Sequence, residues 1–173
     1  MNQRKIEVVK YNPAWVATFK SEQSLLKQVL GDVAIKIEHI GSTSVPGLAA
    51  KPVIDILIEV SDFSELGSES HAMESIGYLV MGENGIAGRR YFQKGGNQRS
   101  HHVHAFEAWD ADLLRHRAYR DYLIARPDVA TEYSETKQIA AAACGNDINQ
   151  YMSLKDSFIK KHEALAIEWY MNQ

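Results

Sequence analysis

The chain has 173 residues, with 19 Lys and Arg against 22 Asp and Glu, and its formal net charge is -3. This length is typical of one domain that buries its core without cross-links, and the single cysteine, Cys144, excludes a disulfide framework within one chain. The mild charge argues against a nucleic-acid-binding or membrane-binding surface, and no apolar run approaches the ~20 residues of a membrane span. Without a signal-peptide pattern at the start, we expect a cytoplasmic protein.

In chain order, the first half alternates short strands with helical segments. Asn12 and Pro13 are typical of a helix start and Gly31 of a helix end, and four apolar residues between them approximate one helical stripe: Trp15, Phe19, Leu26 and Leu30. Apolar patterns predict an edge strand over residues 5–10, further strands over 33–40, 52–60, 78–81, 86–93 and 100–106, and a helix over 62–77. Residues 94–99, with the sequence KGGNQR, are predicted to form a hairpin tip.

Beyond Glu107 the pattern becomes helical. Three segments carry helical periods, and Pro127 separates the first two of them. The segment Gly145-Asn146-Asp147 is typical of a helix end followed by a new helix cap. The sequence therefore predicts an α+β fold, with a mixed β-sheet and packed helices in residues 1–107. A C-terminal helical region, residues 108–173, is expected to pack with this core as one compact unit.

The strand over residues 52–60 carries a carboxylate, Asp55, at its centre. Because strand side chains alternate between faces, Asp55 points away from the face that the isoleucines share, which we expect helices to cover. In the preceding strand, alternation puts Glu38 on the same side as Asp55. A carboxylate in so apolar a strand is either a structural acceptor of backbone donors or a functional group.

Two histidines in a later strand are placed to join Asp55. In the segment SHHVHAF, Val103 and Ala105 alternate with His102 and His104. If the apolar pair joins the core, both imidazoles emerge on the open face of the sheet. A His-x-His pair with a carboxylate from a neighbouring strand is a common divalent-metal site. The alternative is a polar, exposed strand face.

The stretch GSTSVPGLAAK combines a tight turn with several hydroxyl groups. Gly41 permits close backbone approach, the amides that follow can face an anion, and Ser42 and Thr43 add hydroxyl donors. A short helix starting near Pro46 would also favour a phosphate at its N-terminus. The same residues suit a plain turn with a helix cap. Basic residues of the later hairpin are candidates either for an anion-binding rim or for a solvated surface: Arg89, Arg90, Lys94 and Arg99.

The segment HIGSTSVPGLAAKPVIDI closely resembles the signature of the GrpB family. The resemblance runs through nearly the whole chain, and includes YNPAW, HHVHAFE, YRDYLIARPDVATEYSETK and YMSLKDSFI. The family is similar to nucleotidyltransferases of the polymerase-beta type, and a related domain is fused to dephospho-CoA kinase in some bacteria. The resemblance implies a minimal nucleotidyltransferase-like fold, in which a C-terminal helical bundle closes one side of a cleft.

The resemblance also implies roles for particular residues. In the nucleotidyltransferase superfamily a Gly-Ser corner contacts nucleotide phosphates and strand carboxylates hold magnesium, which makes Asp55 the catalytic, metal-binding candidate. Of the nucleotide- or phosphate-binding candidates, the resemblance implies Gly41, Ser42, Lys137 and Lys155, and the residues themselves add Thr43, Lys51 and Arg90. The candidate metal ligands are Asp55, Glu38, His102 and His104. The chain departs from the superfamily where a second acid is usual, since Val53 and Leu57 flank Asp55 at those places.

Three functions are consistent with these residues. The first is a metal-dependent nucleotidyltransferase, which transfers a nucleoside monophosphate from an NTP to a small acceptor with Mg or Mn as the divalent metal ion. The second is a non-catalytic module that binds a nucleotide or coenzyme precursor, or assists a coenzyme A pathway enzyme such as dephospho-CoA kinase. The third is a hydrolytic zinc site at the His-x-His pair.

Overall fold

A computed structural model of the protein describes residues 6–63 and 70–173. Within these residues, the strands β1 (Ala34–Ile40), β2 (Ile54–Val60), β3 (Leu79–Val80), β4 (Arg90–Lys94) and β5 (His101–Glu107) form one sheet in the order β1-β2-β5-β4-β3. Only β2 and β5 run parallel, and the other neighbours are antiparallel. The longer helices are α1 (Ala14–Leu30), α3 (Ala111–Ala125), α4 (Pro127–Ala143) and α5 (Ile148–Met171), and Ser70–Ser75 forms the short helix α2.

The predicted α+β class is confirmed, and so are the three C-terminal helices and the hairpin between β4 and β5. Asn12 caps α1 by accepting a hydrogen bond from the Ala14 amide at 2.9 Å, and Asp147 caps α5. None of the described helices is long and apolar enough to cross a membrane. The division of the chain at residue 107 stays a prediction.

Two local predictions need correction. In place of an edge strand over residues 5–10, the described part, from Ile6 onward, makes a single bridge between Val9 and Ala50. No helix begins at Pro46 in the described loop, because the helical turn forms earlier, as the 3₁₀ segment Ser42–Ser44. The predicted helix over 62–77 is described only in part, because residues 64–69 lie outside the described residues.

The core lies between one face of the sheet and α1. The side chains of Ile54, Ile56, Ile58 and Val60 pack there with Val103 and Ala105, as the alternation predicted. They meet the apolar stripe of α1, of which Leu26 is fully buried. The opposite face of the sheet, which carries Asp55, therefore remains for the C-terminal helices.

A network of ion pairs attaches α3 to this opposite face. Glu38 of β1 accepts hydrogen bonds from Arg117 and Arg120, each at 2.8 Å, and Arg117 also donates to Glu59 of β2 at 2.7 Å. Only 9% of the Glu38 side chain is exposed. These contacts hold α3, the first of the C-terminal helices, against β1 and β2.

The outer edge of β1 is occupied by side chains of α1. The amide of Gln23 donates to the Ile37 carbonyl at 2.8 Å, and the Lys27 ammonium donates to the Ala34 carbonyl at 3.4 Å. These donors satisfy carbonyls that an edge strand otherwise presents to solvent.

Candidate functional site

A cavity of about 420 Å³ opens between the Asp55 face of the sheet and the helices α4 and α5. Its volume lies within the range of small-molecule sites, roughly 300–1,000 Å³. Several residues that the sequence indicated line it together: Ser42, Thr43, Lys51, Asp55, His102, Lys137 and Lys155. The sheet thus contributes the acid and a histidine, and the helices contribute two of the three lysines.

The Gly-Ser corner packs directly against Asp55. Gly41 has a positive φ of 72°, and a Cβ atom at this position would lie 2.6 Å from Oδ2 of Asp55. Such a separation is too short for any side chain, so the corner requires glycine for its space as well as for its conformation. Ser42 follows at the cavity wall.

We expect Gly41→Ala to destabilise the protein by about 2–4 kcal/mol, because it adds a steric clash to the strain of a positive φ. Gly47 is the matched control, since it has a φ of 81° in the same loop and no atom lies within 4 Å of the place that an added methyl group would occupy. Gly47→Ala should cost only about 1–2 kcal/mol, from the backbone strain alone. Urea unfolding of the two variants measures the difference, and equal losses would show that the Asp55 contact is not tight.

Two histidines point at one oxygen of Asp55. Nδ1 of His102 lies 3.4 Å and Nε2 of His104 lies 3.2 Å from Oδ1 of Asp55. The other ring nitrogen of each histidine meets an arginine, with Arg99 at 3.1 Å from Nε2 of His102 and Arg89 at 3.3 Å from Nδ1 of His104. Because a guanidinium group only donates, the nitrogens that face the arginines must accept, and those that face Asp55 carry the protons.

This arrangement determines the charges at the sheet. Burial acts to raise the pKa of Asp55, but the hydrogen bonds from His102 and His104 outweigh it, and the pKa lies far below its usual value. Burial lowers the pKa of His102, which keeps its ring neutral at pH 7. Asp55 is therefore a permanent negative charge and a poor general base.

The donor set does not fit a divalent metal ion as it is arranged. A histidine binds a metal through a free lone pair, yet the lone pairs of His102 and His104 accept from arginines. Among the described residues, no group of three or more His, Cys, Asp or Glu side chains has an arrangement that could hold a metal. A metal bound by Asp55 together with His102 and His104 would require both imidazole rings to turn, because their protonated nitrogens face the carboxylate.

Two other predicted site residues have partners outside the cavity's free space. Glu38 lies on the Asp55 side of the sheet, as predicted, but its two oxygens accept from Arg117 and Arg120 rather than facing the cavity. The Thr43 hydroxyl is buried and contacts His39 at 2.9 Å, so it has little capacity left for a phosphate.

The structure does not bring Arg90 to the cavity. Arg90 pairs with Ala105 across the sheet, and its guanidinium group stacks 4.4 Å above the Phe63 ring. Its side chain belongs to the helix-covered face because the parity of β4 places it there. The neighbouring residue Arg89 lies on the Asp55 side instead and contacts His104.

The cavity gathers three lysines around two tyrosine rings. Nζ of Lys137 lies 4.5 Å above the ring of Tyr133, whereas Lys51 and Lys155 lie 5.0 and 4.5 Å from the ring centre of Tyr151. Lys137 is 2% exposed, and its ammonium group is a buried donor without a hydrogen-bond partner. Cation–π contacts offset part of this desolvation but do not replace hydrogen bonds.

Burial and mutual repulsion disfavour the charges of these lysines. Burial is the largest cause that lowers the pKa of Lys137 well below its usual value, and the ammonium groups of Lys155 and Lys51 add to it. Burial and Lys51 likewise lower the pKa of Lys155 to about 8. An anion in the cavity would supply both the missing hydrogen-bond acceptor and the missing negative charge.

Sequence reasoning missed several residues of this site. Tyr133 and Tyr151 follow the helical spacing of core residues, and they are buried, but their rings also carry the lysines. For Arg89 and Arg99 the sequence leaves an anion-binding rim and a solvated surface open, and it does not predict their contacts with histidines, which depend on side-chain directions. No local pattern signals such contacts.

Residues 5–164 match the family described as GrpB protein. The chain belongs to the GrpB family. The conserved protein GrpB from Enterococcus faecalis, whose crystal structure is known, is 46% identical in sequence to this chain. The two structures superpose with a TM-score of 0.92, over 95% of this chain and 99% of that chain. The UPF0157 protein YqkA of Bacillus subtilis is 48% identical over 167 residues, which make up 96% of this chain and 49% of YqkA. This GrpB protein thus spans about half the length of that relative.

The chain is also distantly similar to two proteins whose names state an activity. The Cid1 poly(U) polymerase with bound MgGTP is 12% identical, with a TM-score of 0.47 over 76% of this chain and 46% of that chain. The dephospho-CoA kinase of Mycolicibacterium paratuberculosis is 24% identical over 190 residues, covering 95% of this chain and 46% of the kinase.

Proposed function

We propose that this GrpB protein is a binding module whose cavity holds the phosphate groups of a nucleotide or a related coenzyme precursor without a divalent metal ion. The observation that carries the proposal is the buried, unpartnered ammonium group of Lys137, with Lys51 and Lys155 lining the same cavity. Burying an amine without an acceptor is unfavourable, and strongly perturbed groups of this kind in a cleft cluster at functional sites.

The charge balance of the cavity favours an anion over a metal cation. Lys137 and Lys155 line the cavity together with one carboxylate, Asp55, and the lowered pKa of His102 leaves that ring neutral. A phosphate contributes several acceptor oxygens and at least one negative charge, which matches this excess of donors. Asp55 then acts as a counter-charge that holds the histidines and offsets the lysines while the cavity is empty.

A metal-dependent nucleotidyltransferase is the second candidate. One observation favours it: the Gly41-Ser42 corner packs against Asp55, which places a phosphate-binding turn beside a potential metal ligand. The reaction would transfer a nucleoside monophosphate from an NTP to a small acceptor. The engaged histidines and the absence of an acid at Val53 and Leu57 weigh against this candidate.

The variant Asp55→Asn separates the two candidates, because it keeps an acceptor for the histidines but removes the charge. Without a metal, it should strengthen the binding of tripolyphosphate and ATP several-fold, since a repulsive carboxylate is lost. The measurement is calorimetric titration in EDTA and in magnesium or manganese. Binding that requires the metal and disappears in Asp55→Asn would overturn the binding-module proposal and support the transferase.

We expect metal-free phosphate binding to weaken as the pH rises from 7 to 9. The pKa of Lys155 is lowered to about 8 by burial and by Lys51, so this lysine loses its charge within that range. Below pH 8 it is protonated and attracts the anion, and above pH 8 the attraction fades. Tripolyphosphate titrations at several pH values test this, and an affinity that is constant up to pH 9 would contradict a contact with Lys155.

The similarity to dephospho-CoA kinases suggests dephospho-CoA as a probe and a coenzyme A pathway enzyme as a partner. We propose both, with a cytoplasmic location, which the free thiol of Cys144 favours. Thermal shifts with dephospho-CoA, ATP, GTP, CTP and UTP distinguish the ligands, because a ligand at 100 times its Kd adds roughly 2.7 kcal/mol of stability. No shift with any of the five, with or without a metal, would contradict the nucleotide-binding proposal.

A further inference from the structure

Two apolar side chains lie at the mouth of the cavity that Lys51, Lys137 and Lys155 line. Ile148 and Met152, at the start of α5, line the cavity and are 37% and 47% exposed. The two residues are four positions apart, which places their side chains on one face of the helix. We define them as the apolar pair.

The same face of α5 continues inward to the lysines. Lys155 lies three residues beyond Met152 and seven beyond Ile148, and it lines the same cavity. With a rise of about 1.5 Å per residue, the apolar pair begins about 5 Å from the level of Lys155 and ends about 10 Å from it. The apolar pair thus lies about one to two helical turns from Lys155 along the same cavity wall, and a ligand that contacts both needs a spacer between its phosphate and its apolar group.

From this arrangement we infer that the apolar pair is a second subsite, which binds the aromatic base of a phosphorylated ligand while the lysines bind its phosphates. The inference rests on the proposed function and adds where the base of the ligand binds, so that inorganic phosphate or polyphosphate fills only part of the site. Covering partly exposed Ile and Met side chains with a flat apolar group removes apolar surface from water, which favours binding. The thioether of Met also suits contact with an aromatic ring.

The test compares two probes on a double variant, Ile148→Ser with Met152→Ser. Tripolyphosphate reports on the lysines alone, and ATP adds a sugar and a base. The wild-type protein should bind ATP at least tenfold more tightly than tripolyphosphate. The double variant should lose about tenfold in ATP affinity, while its affinity for tripolyphosphate stays within twofold.

Leu154→Ser is the matched control. Leu154 belongs to the same helix and is 44% exposed, but it lies on a different face, two residues from Met152. It should leave both affinities unchanged, and thermal unfolding of all variants checks that α5 is intact.

The outcomes are distinguishable. If both probes bind and the double variant leaves the ATP affinity unchanged, or lowers both affinities equally, the apolar pair is not a base subsite, although the phosphate site stands. If neither probe binds the wild-type protein, the proposed function fails and the subsite fails with it. GTP, CTP, UTP and dephospho-CoA are titrated in parallel, so that the choice of base does not decide the result.

Discussion

Replacing Lys137 with Met should make the protein more stable and unable to bind phosphate. Met occupies a similar volume, but it removes an ammonium group that is buried without a hydrogen-bond partner. We expect a gain of about 1–3 kcal/mol in the free energy of unfolding, since burying an unpaired polar group costs about that much. The same change removes the most deeply buried ammonium group of the cavity, so tripolyphosphate affinity should fall at least tenfold.

The pH dependence of this gain is a second readout. The pKa of Lys137 in the folded protein lies well below the usual lysine value of 10.5, mainly because of burial. Between the two values the unfolded chain binds the extra proton, so the wild-type protein becomes more stable as the pH rises toward 10.5. The advantage of Lys137→Met should therefore be largest at neutral pH and shrink in alkali.

Lys160→Met is the control for this experiment. Lys160 lies on α5, its side chain is 77% exposed, and it pairs with Asp156 at 3.0 Å. A surface pair of this kind contributes about 0–1 kcal/mol, so the control should change neither stability nor binding much. A Lys137→Met protein that is less stable than wild type and still binds tripolyphosphate would show that Lys137 is a structural residue.

Replacing Glu38 with Gln should destabilise the protein by about 3–5 kcal/mol, because removing one partner of a buried ion network leaves the others uncompensated. Glu38 accepts from Arg117 and Arg120 at 2.8 Å each, and these contacts attach α3 to β1. Urea unfolding measures the loss. A loss below 1 kcal/mol would show that the network contributes no more than a surface pair.

At acidic pH the stability difference between the wild-type protein and Glu38→Gln should become smaller. Burial alone would raise the pKa of Glu38, but the hydrogen bonds from Arg117 and Arg120 lower it below 4.5. The stabilisation is thus fully present above the unfolded-state pKa and is lost as the pH falls through the lower, folded-state pKa. Lys36 is the control, because it is 60% exposed and lies 3.3 Å from the same carboxylate. Lys36→Met should change the stability by less than about 1 kcal/mol.

Most of the fold was predictable because its signals are local. The alternation in β2 and β5 placed Asp55, His102 and His104 on one face, and the structure has all three there. The end of α4 before Gly145 and the start of α5 after Asp147 were also predictable, because Gly145 has a positive φ and Asp147 caps α5. The strand expected over residues 5–10 failed because alternation does not reveal whether a partner strand lies alongside.

The site was less predictable because its chemistry depends on the residues that contact the candidate ligands, and these residues are distant in sequence. Parity placed Glu38 on the correct face, but it could not show that two arginines of α3, seventy-nine or more residues away, take up the carboxylate. The His-x-His pattern is the same whether the rings offer lone pairs to a metal or accept from Arg89 and Arg99. That distinction requires the positions of side chains that are distant in sequence.

The contacts that Gln23 and Lys27 make with the carbonyls of β1 have a consequence for crowded solutions. A second molecule that adds a strand to the sheet there must first displace both side chains. The opposite border offers little for such growth either, since β3 has only two residues. Concentrated protein should therefore resist association by strand exchange, and partners are expected to approach through side-chain surfaces.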